Sequence, residues 1–258
     1  MVVSMKGLRL DQILVDQGLA ESRHKAQALI VAGKVQVDGR PVTKSGARVH
    51  PDQTVVVAAP NHPYVSRGGL KLEQALATLP VDFSGKVVLD VGASTGGFTD
   101  CLLQHGAAQV VALDVGYGQL HWKLRTDARV HVLERSNVRH VQSDDLPLPV
   151  EGAVVDVSFI SLRLVLPVLA GLLPEFAPVV VLVKPQFEAG RDAVGKNGVV
   201  RDEAVRAHVV DVIADCARDL GFEVLGQAES PITGPKGNKE FLLGLEAPGQ
   251  DKKGSLCE

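Results

Sequence analysis

The chain is poor in cysteine and has no long uninterrupted apolar run. Its 258 residues include 3 cysteines, Cys101, Cys216 and Cys257, with no CxxC pair and no spacing that suits a metal. This excludes a structural zinc site and points to a reducing cytosol, with no bound metal expected. The amino terminus, MVVSMKGLRLDQ, lacks the apolar stretch of a signal peptide. The most apolar region, Leu164 to Val183, is broken by Pro167, Pro174, Glu175 and Pro178, which excludes a membrane span. A cytoplasmic protein with no membrane partner is expected. The formal net charge of −3 gives by itself no reason to expect a polyanionic partner, but the charge is unevenly distributed. Residues 1–71 carry 10 Lys+Arg against 5 Asp+Glu, and the remainder carries 17 against 25. A basic head on an acidic body suggests that the head meets an anion.

The basic head reads as a separate module over residues 1–59. Leu10, Ile13 and Leu14 mark one face of a short helix ending near Gly18. Ser22 can cap a second helix that Gly33 terminates. In KVQVDGRPV, Asp38-Gly39 lies between two apolar alternations and predicts a hairpin, and QTVVVA (53–58) predicts a further strand. Residues 60–69, PNHPYVSRGG, have the punctuation of a linker. From residue 70 to 247 the pattern alternates. Strands are predicted at 86–91, 109–114, 130–133, 153–157, 179–183, 222–226 and 240–245, and helices at 97–105, 161–173 and 202–220. Leu72, Ala75, Leu76 and Leu79 predict another helix, with Lys71 on a different face. Such alternation implies an α/β fold with a mostly parallel sheet covered on both faces and sites at the strands' carboxyl ends. The tail, 248–258, reads as disordered.

The turn in VLDVGASTGGFTDCLL matches neither common phosphate-binding pattern. GxGxxG fails because Ser94 replaces the second glycine. GxxxxGK[ST] fails because Phe98 stands where the lysine belongs. A ligand with an adenosine and no phosphate fits better, and S-adenosylmethionine is such a ligand. Asp114 ends the next strand, about 20 residues on, where an acid can meet ribose hydroxyls.

The acceptor is narrowed by what is missing. VVDVSFISL lacks the Asp/Asn-Pro-Pro-aromatic run of enzymes that methylate base nitrogens. No cysteine is placed to attack a pyrimidine. An oxygen acceptor remains, and it needs a base or a strong positive field. Asp156 ends one apolar strand, Lys184 ends another, Glu240 opens a third, and Lys71 begins the helix after SRGG.

SRGGLKLEQAL, LDVGASTGGFTDCLL, ERSNVR, DVSFISL, LVKPQFEAG and SPITGPKGNKEFLL together resemble the TlyA-type ribosomal RNA 2′-O-methyltransferases. These are also called haemolysins and are related to the FtsJ-like ribose methyltransferases. Residues 8–59 are similar to the S4-like RNA-binding module of that family. The resemblance implies a Rossmann-like methyltransferase domain and a catalytic tetrad of Lys71, Asp156, Lys184 and Glu240. Lys184 would be the base, acting as a neutral amine that burial and the Lys71 ammonium favour. It implies a pocket for S-adenosylmethionine at Asp90, Gly92, Ser94, Thr95, Gly96, Gly97, Phe98 and Asp114, with Asn137 toward the adenine. The acceptor it implies is a cytidine ribose in 16S or 23S ribosomal RNA. Arg9, Arg23, Lys25, Lys34, Arg40, Lys44 and Arg48 of the module are then expected to contact phosphates, which positions RNA without reading its sequence. Arg67 of the linker and Arg191, Lys196, Lys236 and Lys239 of two glycine-rich loops are expected beside the RNA, with the loops closing on it. The linker departs from the family in having His62-Pro63 where a basic residue is usual. Two other readings compete with an enzyme. One is a membrane-active haemolysin, which a liposome-leakage assay tests. The other is a non-catalytic RNA-binding assembly factor, which the four-residue constellation argues against.

Overall fold

The computed structural model describes residues 7–20, 22–57 and 62–249, without the side chain of Arg191. The tail expected to be disordered lies, from residue 250 onward, outside the described residues. The chain forms two compact units that divide between Pro63 and Tyr64.

The first unit contains strand β1 (Leu8–Arg9), helices α1 (Leu10–Asp16) and α2 (Arg23–Val31), and strands β2 (Val35–Val37), β3 (Arg40–Pro41), β4 (Arg48–Val49) and β5 (Val55–Val57). The Ser22 hydroxyl accepts from the Lys25 amide and caps α2. Asp38 and Gly39 have φ of +51° and +75°, the two positive values that a tight two-residue hairpin requires between β2 and β3. Leu10, Ile13, Leu14, Ala26, Ile30 and Val35 form its core. Asp11 is also fully buried, which its place at a helix start does not announce.

The second unit begins with Tyr64, so residues 64–69 of the expected linker belong to it. The Tyr64 ring is buried, its hydroxyl donates to Glu73 at 2.8 Å, and the Val65 amide donates to buried Asp100 at 2.8 Å. Next come α3 (Gly69–Thr78), β6 (Val87–Val91), α4 (Gly97–Gln104), β7 (Gln109–Asp114), α5 (Trp122–Arg125), β8 (Val130–Glu134), β9 (Gly152–Val155), α6 (Leu166–Leu172), β10 (Pro178–Val183), α7 (Pro185–Glu188), α8 (Glu203–Asp219), β11 (Glu223–Glu229) and β12 (Phe241–Glu246). The predicted helix over 161–173 is split. Ser161 caps a single tight turn at Leu162–Leu164, and Pro167 then sits in the first turn of α6, where its missing N–H costs nothing.

The sheet order is β11-β12-β10-β9-β6-β7-β8, with β12 antiparallel to both its neighbours and parallel pairing from β10 through β8. Side chains alternate across it, as a pleated strand requires. Leu89, Val91, Val111, Val155, Val181 and Val183 pack with α6 and α8. Val88, Val110, Val154, Val180 and Leu182 pack with α3 and α4. The chain runs outward in opposite directions from β6 and β9, so the carboxyl ends of this central pair open the crevice where α/β folds bind ligands.

Candidate active site

The glycine turn leaves β6 directly against the end of β9. Gly92 has φ +87°, and a Cβ there would lie 2.6 Å from the Asp156 carbonyl oxygen, so only glycine permits this approach. At Gly97 a Cβ would lie 2.9 Å from the Gly69 amide nitrogen. The start of α3, which carries Lys71, is thereby pressed against the start of α4.

Two cavities meet over this turn. The larger, about 630 Å³, is lined by Gly92, Ser94, Asp114, Asn137, Asp156 and Ile160, among others. The smaller, about 170 Å³, is lined by Ser66, Gly68, Thr95, Gly97, Phe98 and Lys184, among others. Gly92, Ser94, Asp156 and Ser158 line both.

Asp114 holds the turn as well as facing the larger cavity. Its Oδ2 accepts from the Ser94 amide and its Oδ1 from the Gly116 amide, both at 2.7 Å. Each carboxylate oxygen keeps a further lone pair for a hydroxyl donor. Asn137 caps the short turn at Val138–His140 by accepting from the Arg139 amide at 3.1 Å, and it too reaches the cavity. Phe98 is mostly core. Asp90 lines neither cavity. It is fully buried behind the turn and accepts from Thr99 Oγ1 at 2.5 Å through one oxygen, while the other has no hydrogen-bond partner among the described residues. Burial pushes its carboxyl up to about 7, against the Thr99 hydrogen bond, with the Asp156 and Asp114 charges adding to the rise.

The four expected catalytic residues form two ion pairs, with Asp156, Lys184 and Glu240 at strand ends and Lys71 in the first turn of α3. β10 and β12 are in register at Val183 and Phe241, which puts Lys184 and Glu240 on adjoining strands just beyond the pairing. Lys71 Nζ donates to Glu240 Oε2 at 2.5 Å, and both side chains are buried. Lys184 Nζ lies 2.6 Å from Asp156 Oδ1, an oblique ion-pair contact without hydrogen-bond direction. Lys184 also donates to Ser158 Oγ at 2.9 Å. The sequence leads to the expectation that Lys71 acts on Lys184 as a second ammonium. Instead, each lysine here has its own carboxylate.

The rim of the site escapes the sequence reading. Phe159 has φ +65° and is 91% exposed, and its ring lies 5.0 Å from that of Phe187. Glu188 accepts from Ser161 Oγ at 2.6 Å and from the Leu162 amide at 2.8 Å, tying the loop after β9 to α7. The only signals in the sequence are aromatic residues three positions after a strand-ending Asp or Lys.

The two glycine-rich loops are fastened together. Buried Asn238 accepts from the Val200 amide at 3.0 Å and donates to the Gly198 carbonyl at 2.9 Å. Lys196 and Lys236 are exposed on these loops, whereas Lys239 pairs with Glu229 at 2.9 Å. Arg67 is exposed at the start of the unit. Within the first unit, Lys34, Arg40, Lys44 and Arg48 are exposed, and Arg48 donates to the Gly7 carbonyl. Arg9 and Arg23 both donate to buried Asp11, so their charges also serve the module's own packing. Three donors hold the Asp11 carboxyl well below the usual carboxylate range, Arg9 foremost.

Among the described residues, no helix is long and apolar enough to cross a membrane. Residues 64–247 match the FtsJ-like methyltransferase family and residues 8–55 match the S4 domain. The 16S/23S rRNA (cytidine-2′-O)-methyltransferase TlyA of Mycobacterium tuberculosis is 48% identical over 92% of this chain and 89% of its own. Hemolysin A of Brachyspira hyodysenteriae is 42% identical over 91% of this chain and 98% of its own. A solved structure of a candidate hemolysin from Streptococcus thermophilus superposes with a TM-score of 0.74 at 43% identity, covering 98% of this chain and 94% of that one. With both domains matched in order and the relatives spanned almost end to end, the chain belongs to the FtsJ-like methyltransferase family, in its TlyA group with an amino-terminal S4 domain.

Proposed function

We propose that this protein transfers a methyl group from S-adenosylmethionine to the 2′-hydroxyl of a cytidine ribose in ribosomal RNA. The observation that carries the reading is the junction of the two cavities at Gly92, Ser94, Asp156 and Ser158, with Lys184 in the smaller one. The ribosomal and cytidine assignment rests on the activity named for the Mycobacterium relative. The larger cavity suits the donor. Its turn offers close backbone approach without a lysine for phosphate, and Asp114 can accept from ribose hydroxyls. Apolar Leu113, Val115, Val138 and Ile160 can flank an adenine.

The bound donor supplies an electrophilic methyl on sulfur. The chain's own residues then have to orient the acceptor oxygen and take its proton. Lys184 faces Asp156 and Ser158, so to act as a base it must first release a proton to Asp156 or to solvent. Lys71 and Glu240 neutralise each other beside it and keep the adjoining strand ends in place. Exposed Phe159 offers a stacking surface for a nucleobase that has left its helix. The S4 unit contributes exposed cations and delivers the RNA.

The deciding experiment maps ribose methylation across 16S and 23S RNA with and without the protein. Protein-dependent 2′-O-methylcytidine supports the reading, and its absence from both RNAs refutes it. A chain lacking residues 1–59 should still bind S-adenosylmethionine but lose methylation of ribosomal RNA, as calorimetry and the same mapping would report.

A further inference from the structure

We propose that the Ser158 hydroxyl is a catalytic group, the relay through which the acceptor ribose hydroxyl and Lys184 exchange a proton. The inference rests on the ribose-methylation reading above. It starts from an asymmetry of exposure. Lys184 is 8% exposed and lines only the smaller cavity, whereas Ser158 is exposed and lines both where they join. An acceptor lying between donor and base therefore meets the hydroxyl before it meets the amine.

The hydrogen bonding leaves Ser158 free to do this. Among the described residues its hydroxyl bonds only to Lys184, whose Nζ donates to Oγ at 2.9 Å. A hydroxyl has one donor and two acceptor positions, so the O–H and one lone pair remain for a group in the cavity. The loop that carries it is fixed from behind, since Glu188 grips Ser161 and Leu162. Ser158 is thus pre-positioned and does not wait for substrate to order it.

The step balances as follows. The 2′-oxygen forms a bond to the methyl carbon as the carbon–sulfur bond breaks, and that electron pair leaves with sulfur. The 2′-hydroxyl proton passes to Ser158 Oγ, and the proton of Ser158 passes to Lys184 Nζ. Lys184 enters as an uncharged amine, having given its earlier proton to solvent, and ends as an ammonium 2.6 Å from Asp156. The observed arrangement, an ammonium donating to Ser158 and paired with Asp156, corresponds to the end of that transfer.

The test uses the full-length protein with ribosomal RNA in single turnover, comparing wild type, Ser158→Ala and Ser158→Thr. Affinities for S-adenosylmethionine and RNA are measured in parallel, and rates are taken in mixtures of light and heavy water. Ser158→Ala should slow methyl transfer by about 10²-fold or more, the usual scale for a lost proton-transfer group, with both affinities nearly unchanged. Ser158→Thr keeps the hydroxyl and should recover most of the rate. The wild-type rate should curve with deuterium fraction, as two moving protons require, and the residual Ser158→Ala rate should be linear. A Ser158→Ala rate close to wild type, or a linear wild-type dependence, overturns the relay while leaving ribose methylation standing. A wild-type protein that leaves ribose unmethylated overturns both.

Discussion

The two units use positive charge in opposite ways. In the S4 unit the cations stand outside, and one fully buried carboxylate, Asp11, draws Arg9 and Arg23 toward the core while leaving their side chains 48% and 53% exposed. In the methyltransferase unit two cations are inside. Lys71 and Lys184 are each 9% exposed at the side chain, and each has its own carboxylate. An exposed charge acts through a screened field and can meet any phosphate. A buried charge requires a fixed partner, and moving its proton becomes a chemical event. The first arrangement suits holding RNA, and the second suits acting on one atom of it.

The buried pairs are where this contrast can be broken most severely. Lys184→Ala should reduce methyl transfer by about 10²–10⁴-fold with S-adenosylmethionine affinity intact, because the lysine lines the smaller cavity and not the larger one proposed for the donor. Lys184→Arg should fail as well, since a guanidinium stays charged at working pH. An active arginine variant, measured by single-turnover methylation, would mean that charge suffices there and that Ser158 has no proton to pass on. Lys71→Ala differs in kind. Glu240 is only 1% exposed, so the lost partner leaves a buried carboxylate uncompensated, at a cost of about 3–5 kcal/mol in stability. Asp156 is 21% exposed and can recover solvation, so Lys184→Ala should melt much nearer to wild type. Denaturant melts of both variants check the difference, and equal losses would contradict it.

Asp90 gives an intermediate effect with a definite pH signature. Its folded carboxyl titrates at about 7 while the unfolded chain titrates near the ordinary value of about 4. Between those values the folded protein keeps a proton that the unfolded chain releases, so stability should fall as pH rises from about 4 to about 7 and then level off. Asp90→Asn cannot ionise and can still accept from Thr99. It should gain on wild type by up to a few kcal/mol between pH 5 and pH 8, at about 1.4 kcal/mol for each pH unit that separates the folded from the unfolded titration. Melting at the two pH values measures this, and a pH-independent difference would show that Asp90 stays charged in the fold.

How much of this is legible in the sequence follows the same division between inside and outside. Strand ends read well because an ionisable residue closing an apolar run, as in VVVLVK or AVVD, is costly unless it has a partner. Lys184, Asp156 and Glu240 can be named on that ground, and the β10–β12 register then brings two of them together. Helical periodicity puts Lys71 on the wrong kind of surface. Its helix turns it away from Leu72 and Ala75, but toward Glu240, a residue 169 positions distant that no local pattern reports. Ser158 and Phe159 are invisible because their roles come from a loop geometry, including φ +65° at Phe159, that periodicity does not encode. The loops at 185–200 and 233–239 read as arms that close on RNA because glycine signals freedom. That Asn238 joins them to each other is not legible, since an asparagine in a polar loop looks like any other turn residue. Asp11 is hidden for a related reason, since an acid in the first turn of a helix needs no special explanation.

The finest test of the comparison lies within the S4 unit and separates a cation that only faces outward from one that also holds the fold. Lys34 is exposed. Lys34→Ala should weaken RNA binding by under about 1 kcal/mol, and the slope of log affinity against log salt should lessen by about 0.7–0.9, one released counterion. Its melting temperature should not move. Arg23→Ala should produce the same change in slope if its exposed half also meets a phosphate, but it removes one of the donors to Asp11 as well. Arg9 and Gln27 still hold that carboxylate, so the added stability loss should stay near 1 kcal/mol, the net worth of one such hydrogen bond. Filter binding across a salt series, with melts of both variants, distinguishes the two. An unchanged slope for Lys34→Ala would remove that residue from the RNA path. An unchanged slope together with a lowered melt for Arg23→Ala would make Arg23 purely a clamp on Asp11. The positive face of the module would then be carried by exposed Lys25, Lys34, Arg40, Lys44 and Arg48.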